Sequence, residues 1–253
     1  MKTLLCFAAT LLPVMTFAQG SAGSTATVEP RYLLDIPTAG MMPKGGLALD
    51  LEFYQEGGIL AALSIGVLER FSMGLSYGGT HLIGSDEPVM NKTPGVNIKI
   101  RLVEENAEIP AVALGFDSQG REGFIKGLDR YAIKSPGFYA AASRNYELLG
   151  SLSLHGGINY SLERGDDDED INIFLGAEKT IGPAFSFVTE YNLASNDSDG
   201  KSRGRGRGYF NVGFRWSMGS GLTLGLNIKD ILKNGRDLHV GNRTVGLEYI
   251  HFF

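Results

Sequence analysis

The chain of 253 residues has one cysteine, four histidines and nine prolines. Past its first residues no apolar run reaches the roughly 18 residues that a spanning helix needs, so a helical membrane bundle is excluded. The lone Cys6 leaves no pair for a disulfide and no Cys-ligated metal. Histidines are too few and too scattered for a metal-spaced cluster. Positive charge is also short, with Lys and Arg at 23 against 28 Asp and Glu, which disfavours nucleic acid as a partner. The scarcity of proline beside 35 glycines argues against proline-rich disorder and for many short elements joined by turns.

The first residues read as an export signal. Lys2 supplies the positive start, 4–15 an apolar stretch, and Thr16-Phe17-Ala18 a small-residue cleavage site before Gln19. Cleavage there removes residues 1–18, and Cys6 with them. Because Gln19 follows, the site is not that of a lipoprotein. Residues 19–30 are small and polar without periodicity and read as a flexible leader. Together with the stretch up to 44 they form an expected N-terminal periplasmic segment.

From Gly45 onward the hydrophobic period is two. Leu47, Leu49, Leu51 and Phe53 share one face while Asp50 and Glu52 share the other, as a pleated strand requires. The same alternation runs through 71–77, 96–102, 152–163, 185–193, 210–217 and 222–229. Weaker candidates at 58–67, 109–117, 136–145, 171–179 and 243–253 bring the count to about twelve, an even number as bacterial single-chain barrels require.

The polar faces carry mostly Gly, Ser, Asn and Ala. Such a face suits an enclosed interior better than a solvated surface. Aromatic residues gather toward strand ends at Phe53, Tyr77, Tyr191, Trp216 and Tyr249, as interfacial girdles do. Connections alternate between short and long, with 55–57 the exception, and short turns on one rim are the outer-membrane pattern. The expected fold is therefore all-β: a closed antiparallel transmembrane β-barrel over 45–253, in the bacterial outer membrane. The terminal GLEYIHFF, with Tyr249 and Phe253 on one side, resembles the signal by which such barrels reach their assembly machinery; His251 departs from it.

Two stretches carry a family resemblance. YLLDIPTAGMMPKGGLALDLEF at 32–53 and NIKIRLVEENAEIPAVALGFDSQGREGF at 97–124, followed by YAIKSPGFYAAASRN, resemble YjbH-like outer-membrane proteins. The similarity covers roughly 31–145. The resemblance implies a single-barrel relative with a role in exopolysaccharide export or assembly, and it brings no catalytic residues. The competing expectations are a structural or surface-interaction barrel with a plugged lumen, and a porin-like channel for small solutes.

Strand parity places Lys99, Arg101, Glu163, Glu178, Glu190, Arg215, Lys229 and Glu248 inside the barrel, with Asp50 and Glu52. These charges either satisfy one another as a plug or line a polar path. On the expected outer side, Lys201, Arg203, Arg205 and Arg207 suit phosphate contacts with lipopolysaccharide, or else pair with the acidic loop 166–170. That acidic run reads as a solvated surface loop; it lacks the spacing of a calcium loop. His155 shares a face with Ser153 and Asn159, but neighbours two and four apart on a strand are about 7 Å or more apart, too far for a proton relay. Catalysis, a metal and a cofactor are not expected. The stretch 124–131 reads as a short helix in an outer loop.

Overall fold

The computed structural model describes residues 20–239 and 241–253. The expected export signal at 1–18 lies outside the described residues. Among the described residues are fifteen strands: β1 Gly46–Tyr54, β2 Gly58–Leu68, β3 Phe71–Thr80, β4 Val89–Met90, β5 Gly95–Val103, β6 Ala111–Asp117, β7 Arg121–Ile125, β8 Arg130–Ile133, β9 Gly137–Glu147, β10 Ser151–Tyr160, β11 Asn172–Ile181, β12 Phe185–Asn192, β13 Tyr209–Gly219, β14 Leu222–Lys229 and β15 Asn242–Phe252. Leaving out β4, β7 and β8, twelve of them pair antiparallel around a closed ring. β1 meets β15 at Gly46↔Phe252 through Phe53↔Val245, so the barrel has no free edge. These twelve are the strands the alternation predicts.

Closure sorts the side chains by solvent. Leu63, Leu75, Ile100, Leu154, Ile158, Leu175, Leu226 and Ile228 stand exposed on the outer wall. Such a continuous apolar surface is tolerated only against lipid. Tyr146, Trp216 and Tyr249 lie toward one rim and Tyr77 and Phe138 toward the other, with Phe185, Phe214 and Trp216 stacked at ring distances of 5.4 and 5.9 Å. The turns 69–70, 104–110, 148–150, 182–184 and 220–221 share one rim with the chain end of β15; this is the periplasmic rim. The loops 81–94, 118–136, 161–171, 193–208 and 230–241 share the other.

Two outer-loop expectations change. The stretch 124–131 is the turn of a β-hairpin, β7–β8, and not a helix. β10 ends at Tyr160, because Ser161 and Glu163 leave the ladder. The Glu163 carboxylate instead accepts the backbone N–H of Tyr131 at 2.9 Å and of Ser135 at 3.0 Å. Glu163 is thus a loop residue that pins β8, not a lumen strand residue.

The larger change concerns 20–44. The leader expected to be flexible and outside the barrel lies within it. Gly20 to Thr25 run along the periplasmic rim, where Ala22 donates to Ser217 Oγ at 3.1 Å and Ser24 to the Gly182 carbonyl at 3.1 Å. The chain then climbs and turns back as a hairpin. Leu33 N–H donates to the Ile36 carbonyl at 3.0 Å, Thr38 N–H to the Arg31 carbonyl at 3.2 Å, and Tyr32 pairs with Pro37. A side chain at Gly40 would strike the Pro30 carbonyl, its Cβ only 2.2 Å away, so glycine lets the two arms of the hairpin close.

Candidate functional site

The inner wall and the hairpin interlock through charge on the wall and backbone on the hairpin. From β5, Lys99 Nζ donates to the carbonyls of Arg31, Thr38 and Gly40 at 2.9, 3.1 and 3.1 Å. Its ammonium also lies over the Tyr32 ring, 5.2 Å from the centroid. Arg101 donates to the Ala39 carbonyl at 2.6 Å and pairs with Glu29 and Glu104. From the opposite wall, Arg215 on β13 donates to the carbonyls of Tyr32, at 2.7 Å, and Leu33. Glu190 on β12 accepts the N–H groups of Leu34, Asp35 and Ile36 at 2.9, 3.0 and 3.2 Å. Backbone groups buried without water require such partners.

Side-chain pairs then fix the height of the hairpin. Arg31 bridges Asp50 at 2.8 Å and Glu248 at 2.9 Å. Lys229 meets Asp35 at 2.7 Å and also Glu52. Tyr32 donates its hydroxyl to Asp117 at 2.5 Å and accepts from Asn97 at 2.7 Å. Leu33 and Ile36 pack with Tyr139, Ala141, Phe174 and Val188 in an apolar cluster inside the barrel.

The outer opening is covered by the loops. The β7–β8 hairpin folds inward, so that Glu122 accepts from Asn242 at 2.8 Å and lies 3.9 Å from Lys229. Burial pushes the Glu122 carboxyl up to about 8, with the nearby carboxylates of Glu52 and Asp35 acting in the same sense and Lys229 against it. Arg130, with no exposed surface, ties Asp166 and Asp197 at 2.5 Å each, and Lys134 reaches Asp166 at 2.8 Å. The acidic loop is therefore not simply solvated. Asp166 and Asp168 are buried, and Asp168 collects the N–H of Ser198 at 2.9 Å and of Asp199 at 3.1 Å, while Asp167 pairs outside with Lys201 at 2.9 Å.

A cavity of about 170 Å³ runs beside the hairpin, between it and the wall made by β1, β2, β3, β14 and β15. Polar lining groups range from Ser21 and Thr223 near the periplasmic rim to Gln119 and Arg121 near the outer one. Gly225 and Gly246 face each other across β14 and β15, and a Cβ at Gly246 would meet nothing within 4 Å. Space of this size with polar partners holds water. Arg121 lies 3.9 Å from Asp35 and 4.0 Å from Glu52, beyond hydrogen-bond reach.

Of the lumen residues expected from parity, Lys99, Arg101, Glu190, Arg215, Lys229 and Glu248 converge on the hairpin. Glu178 faces Arg215 at 3.7 Å, and Glu163 belongs to the loops. Among the basic outer residues, Arg203 pairs with Asp237, Arg207 reaches the Leu232 carbonyl at 3.3 Å, and Arg205 is exposed. Tyr249 faces outward, and Phe253, 77% exposed, is held by its N–H on the Gly45 carbonyl at 3.0 Å.

His155, Ser153 and Asn159 are not brought together. His155 Nδ1 meets Ser143 at 2.8 Å, Ser153 donates to Asn145 and Asn159 to the Pro136 carbonyl. Among the described residues no group of three or more His, Cys, Asp or Glu side chains is placed to hold a metal. Residues 31–40, Arg121 and Arg130 are the parts that sequence reasoning passed over. Their signal was the surplus of lumen charge that lacked partners on neighbouring strands.

A closed twelve-strand barrel with an apolar outer belt and a charged interior is an outer-membrane β-barrel. Residues 32–125 match the family described as YjbH, exopolysaccharide biosynthesis protein YbjH, so over that stretch the chain is similar to this family. No curated protein sequence matches it significantly. Among solved structures, the KdgM porin is similar at 10% identity with a TM-score of 0.52, covering 82% of this chain and 99% of that one. The KdgM porin in complex with disordered oligogalacturonate gives 0.51 at the same identity and coverage. Both are porins, and at this identity they speak for the fold alone.

Proposed function

We propose that this protein serves exopolysaccharide export or assembly at the outer membrane, as a barrel that its own N-terminal hairpin keeps closed at rest. The observation that carries the reading is a coincidence of place. The stretch 32–125 that matches the exopolysaccharide family contains the hairpin, the β5 wall that grips it, and most of the residues that line the cavity. Export after cleavage behind Ala18, recognition of Tyr249 and Phe253 by the barrel assembly machinery, and contact of Arg205 and Arg207 with lipopolysaccharide phosphates belong to the same proposal. Lys201 and Arg203, already paired with Asp167 and Asp237, contribute less to that surface. The protein acts without catalysis of its own.

A deletion strain complemented with the intact chain tests the reading. Loss of surface exopolysaccharide on deletion and its return on complementation is the expected result; unchanged surface polysaccharide contradicts it. The slit beside the hairpin favours a second role, as a narrow porin-like path for water and small solutes. Small, steady conductance of the intact chain in planar bilayers would support that role.

A further inference from the structure

We propose that the lumen cations which grip the hairpin backbone form a binding track for a linear acidic saccharide, and that the hairpin occupies this track in the saccharide's place. The inference rests on the polysaccharide reading above and names the chemistry of the chain that passes.

Two kinds of cation line the barrel. Arg31 and Lys229 stand between carboxylates, as buried structural charges usually do. Lys99 differs. All three of its hydrogen bonds go to neutral carbonyl oxygens of the hairpin, and among the described residues no carboxylate lies within 4 Å of it. Arg101 and Arg215 also place donors on hairpin carbonyls, of Ala39 from one wall and of Tyr32 and Leu33 from the other, while keeping carboxylates beside them: Glu29 and Glu104 on Arg101, and Glu178 at 3.7 Å from Arg215. A buried cation facing neutral oxygens is under-compensated, since hydrogen bonds between ionised partners are about twice as strong as neutral ones.

The geometry of the hairpin backbone explains what would replace it. Its carbonyls present oxygen atoms at intervals along an extended chain, held from two sides. A saccharide bearing carboxylates presents the same row of oxygens with the charge that Lys99 lacks and that Arg101 loses when Glu29 leaves with the hairpin. Around them, Glu190 accepts N–H groups and Ser143 Oγ accepts the Ala39 N–H at 2.9 Å, positions that sugar hydroxyls would fill as donors. Glu29 and Asp35, both on the hairpin segment, leave the lumen when it leaves. The glycine pair Gly225 and Gly246 keeps the facing wall bare for a chain of some width.

The test uses a chain lacking residues 20–44, first shown to be folded by its β-sheet circular dichroism and heat-modifiable migration, in planar bilayers. A hexameric uronate oligosaccharide should block its current at about ten-fold lower concentration than a neutral malto-oligosaccharide of equal length, the equivalent of one strengthened hydrogen bond. The Lys99→Gln, Arg101→Gln and Arg215→Gln combination should abolish that preference while conductance persists. Equal block by both sugars, or a preference indifferent to the three substitutions, overturns the proposal. Should the deletion fail to fold, the intact chain carrying Ala39→Cys, where the mature chain has no other thiol, serves instead. Uronate should speed its labelling by a maleimide severalfold and the neutral sugar should not; no acceleration overturns the proposal. Uronate binding in a protein whose deletion leaves surface polysaccharide intact would keep the track and remove the export role.

Discussion

The ammonium of Lys229 stands 2.7 Å from the carboxylate of Asp35. The outer end of β14 is thereby clamped to the tip of a hairpin whose chain enters from the periplasmic rim. Glu52 shares the same ammonium, and Glu122, 3.9 Å away, descends to it from the outer loops. One side chain thus joins wall, hairpin and cap.

Removing that charge isolates its partners. In Lys229→Met, Asp35 and Glu52 keep as cation only the distant guanidinium of Arg121, with the Asn211 amide still donating to Asp35 at 3.2 Å. Loss of one partner of a buried ion pair costs about 3–5 kcal/mol. The variant should unfold at lower urea, and a thiol placed at Ala39 should label faster than in the parent. An unchanged midpoint with unchanged labelling would mean that the clamp does not hold the hairpin.

The slit beside the hairpin is testable at its barest point. A Cβ at Gly246 meets nothing within 4 Å and starts a side chain into the cavity, so Gly246→Trp narrows the path from there. Its folding should match that of the parent, and any small conductance of the intact chain should fall severalfold. Full conductance through the substituted chain would place the path elsewhere.

The cap should respond to alkaline pH. Glu122 has a carboxyl held at about 8 in the folded protein against 4.5 unfolded, chiefly by burial. The folded state therefore binds the proton more tightly, and its stability falls as pH rises from about 4.5 through 8. Docking of β7–β8 should loosen across that window, read as faster hydrogen exchange at 121–133 after correction for the intrinsic rate. In Glu122→Gln the dependence should flatten. A parent whose exchange is already flat contradicts this assignment.

Arg130 is the corresponding anchor of the outer loops. Arg130→Met leaves Asp166 with Lys134 as its cation, and Asp197 with no cation but the Tyr209 hydroxyl at 2.6 Å and the Arg203 N–H at 2.9 Å. The predicted outcome is cleavage by external protease within 161–171 or 193–208 while the barrel strands stay protected. Resistance equal to that of the parent would show that the loops are held by other means.

Most of the barrel was legible because membrane barrels write their architecture into a period of two. Leu152, Leu154 and Ile158 must face lipid whatever lies inside, so strands such as β10 announce themselves. The end of β10 did not, because Ser161 and Glu163 continue the alternation while their side chains serve the loop. The hairpin was the least visible part. Residues 31–38 have no period, and each contact that holds them comes from a distant strand: Lys99 from β5, Glu190 from β12, Arg215 from β13. The burial of Asp166 and Asp168 likewise depends on Arg130, Lys134 and Ser202, which no local pattern connects to them.

The central claim is that the barrel is closed by its own residues 20–44. Single-channel conductance of the intact chain, compared in the same bilayers with the chain lacking 20–44, tests it most directly. The intact protein should give silence or small steps, and the shortened one steps several times larger. Equal conductance from two chains shown to be folded and inserted would contradict it.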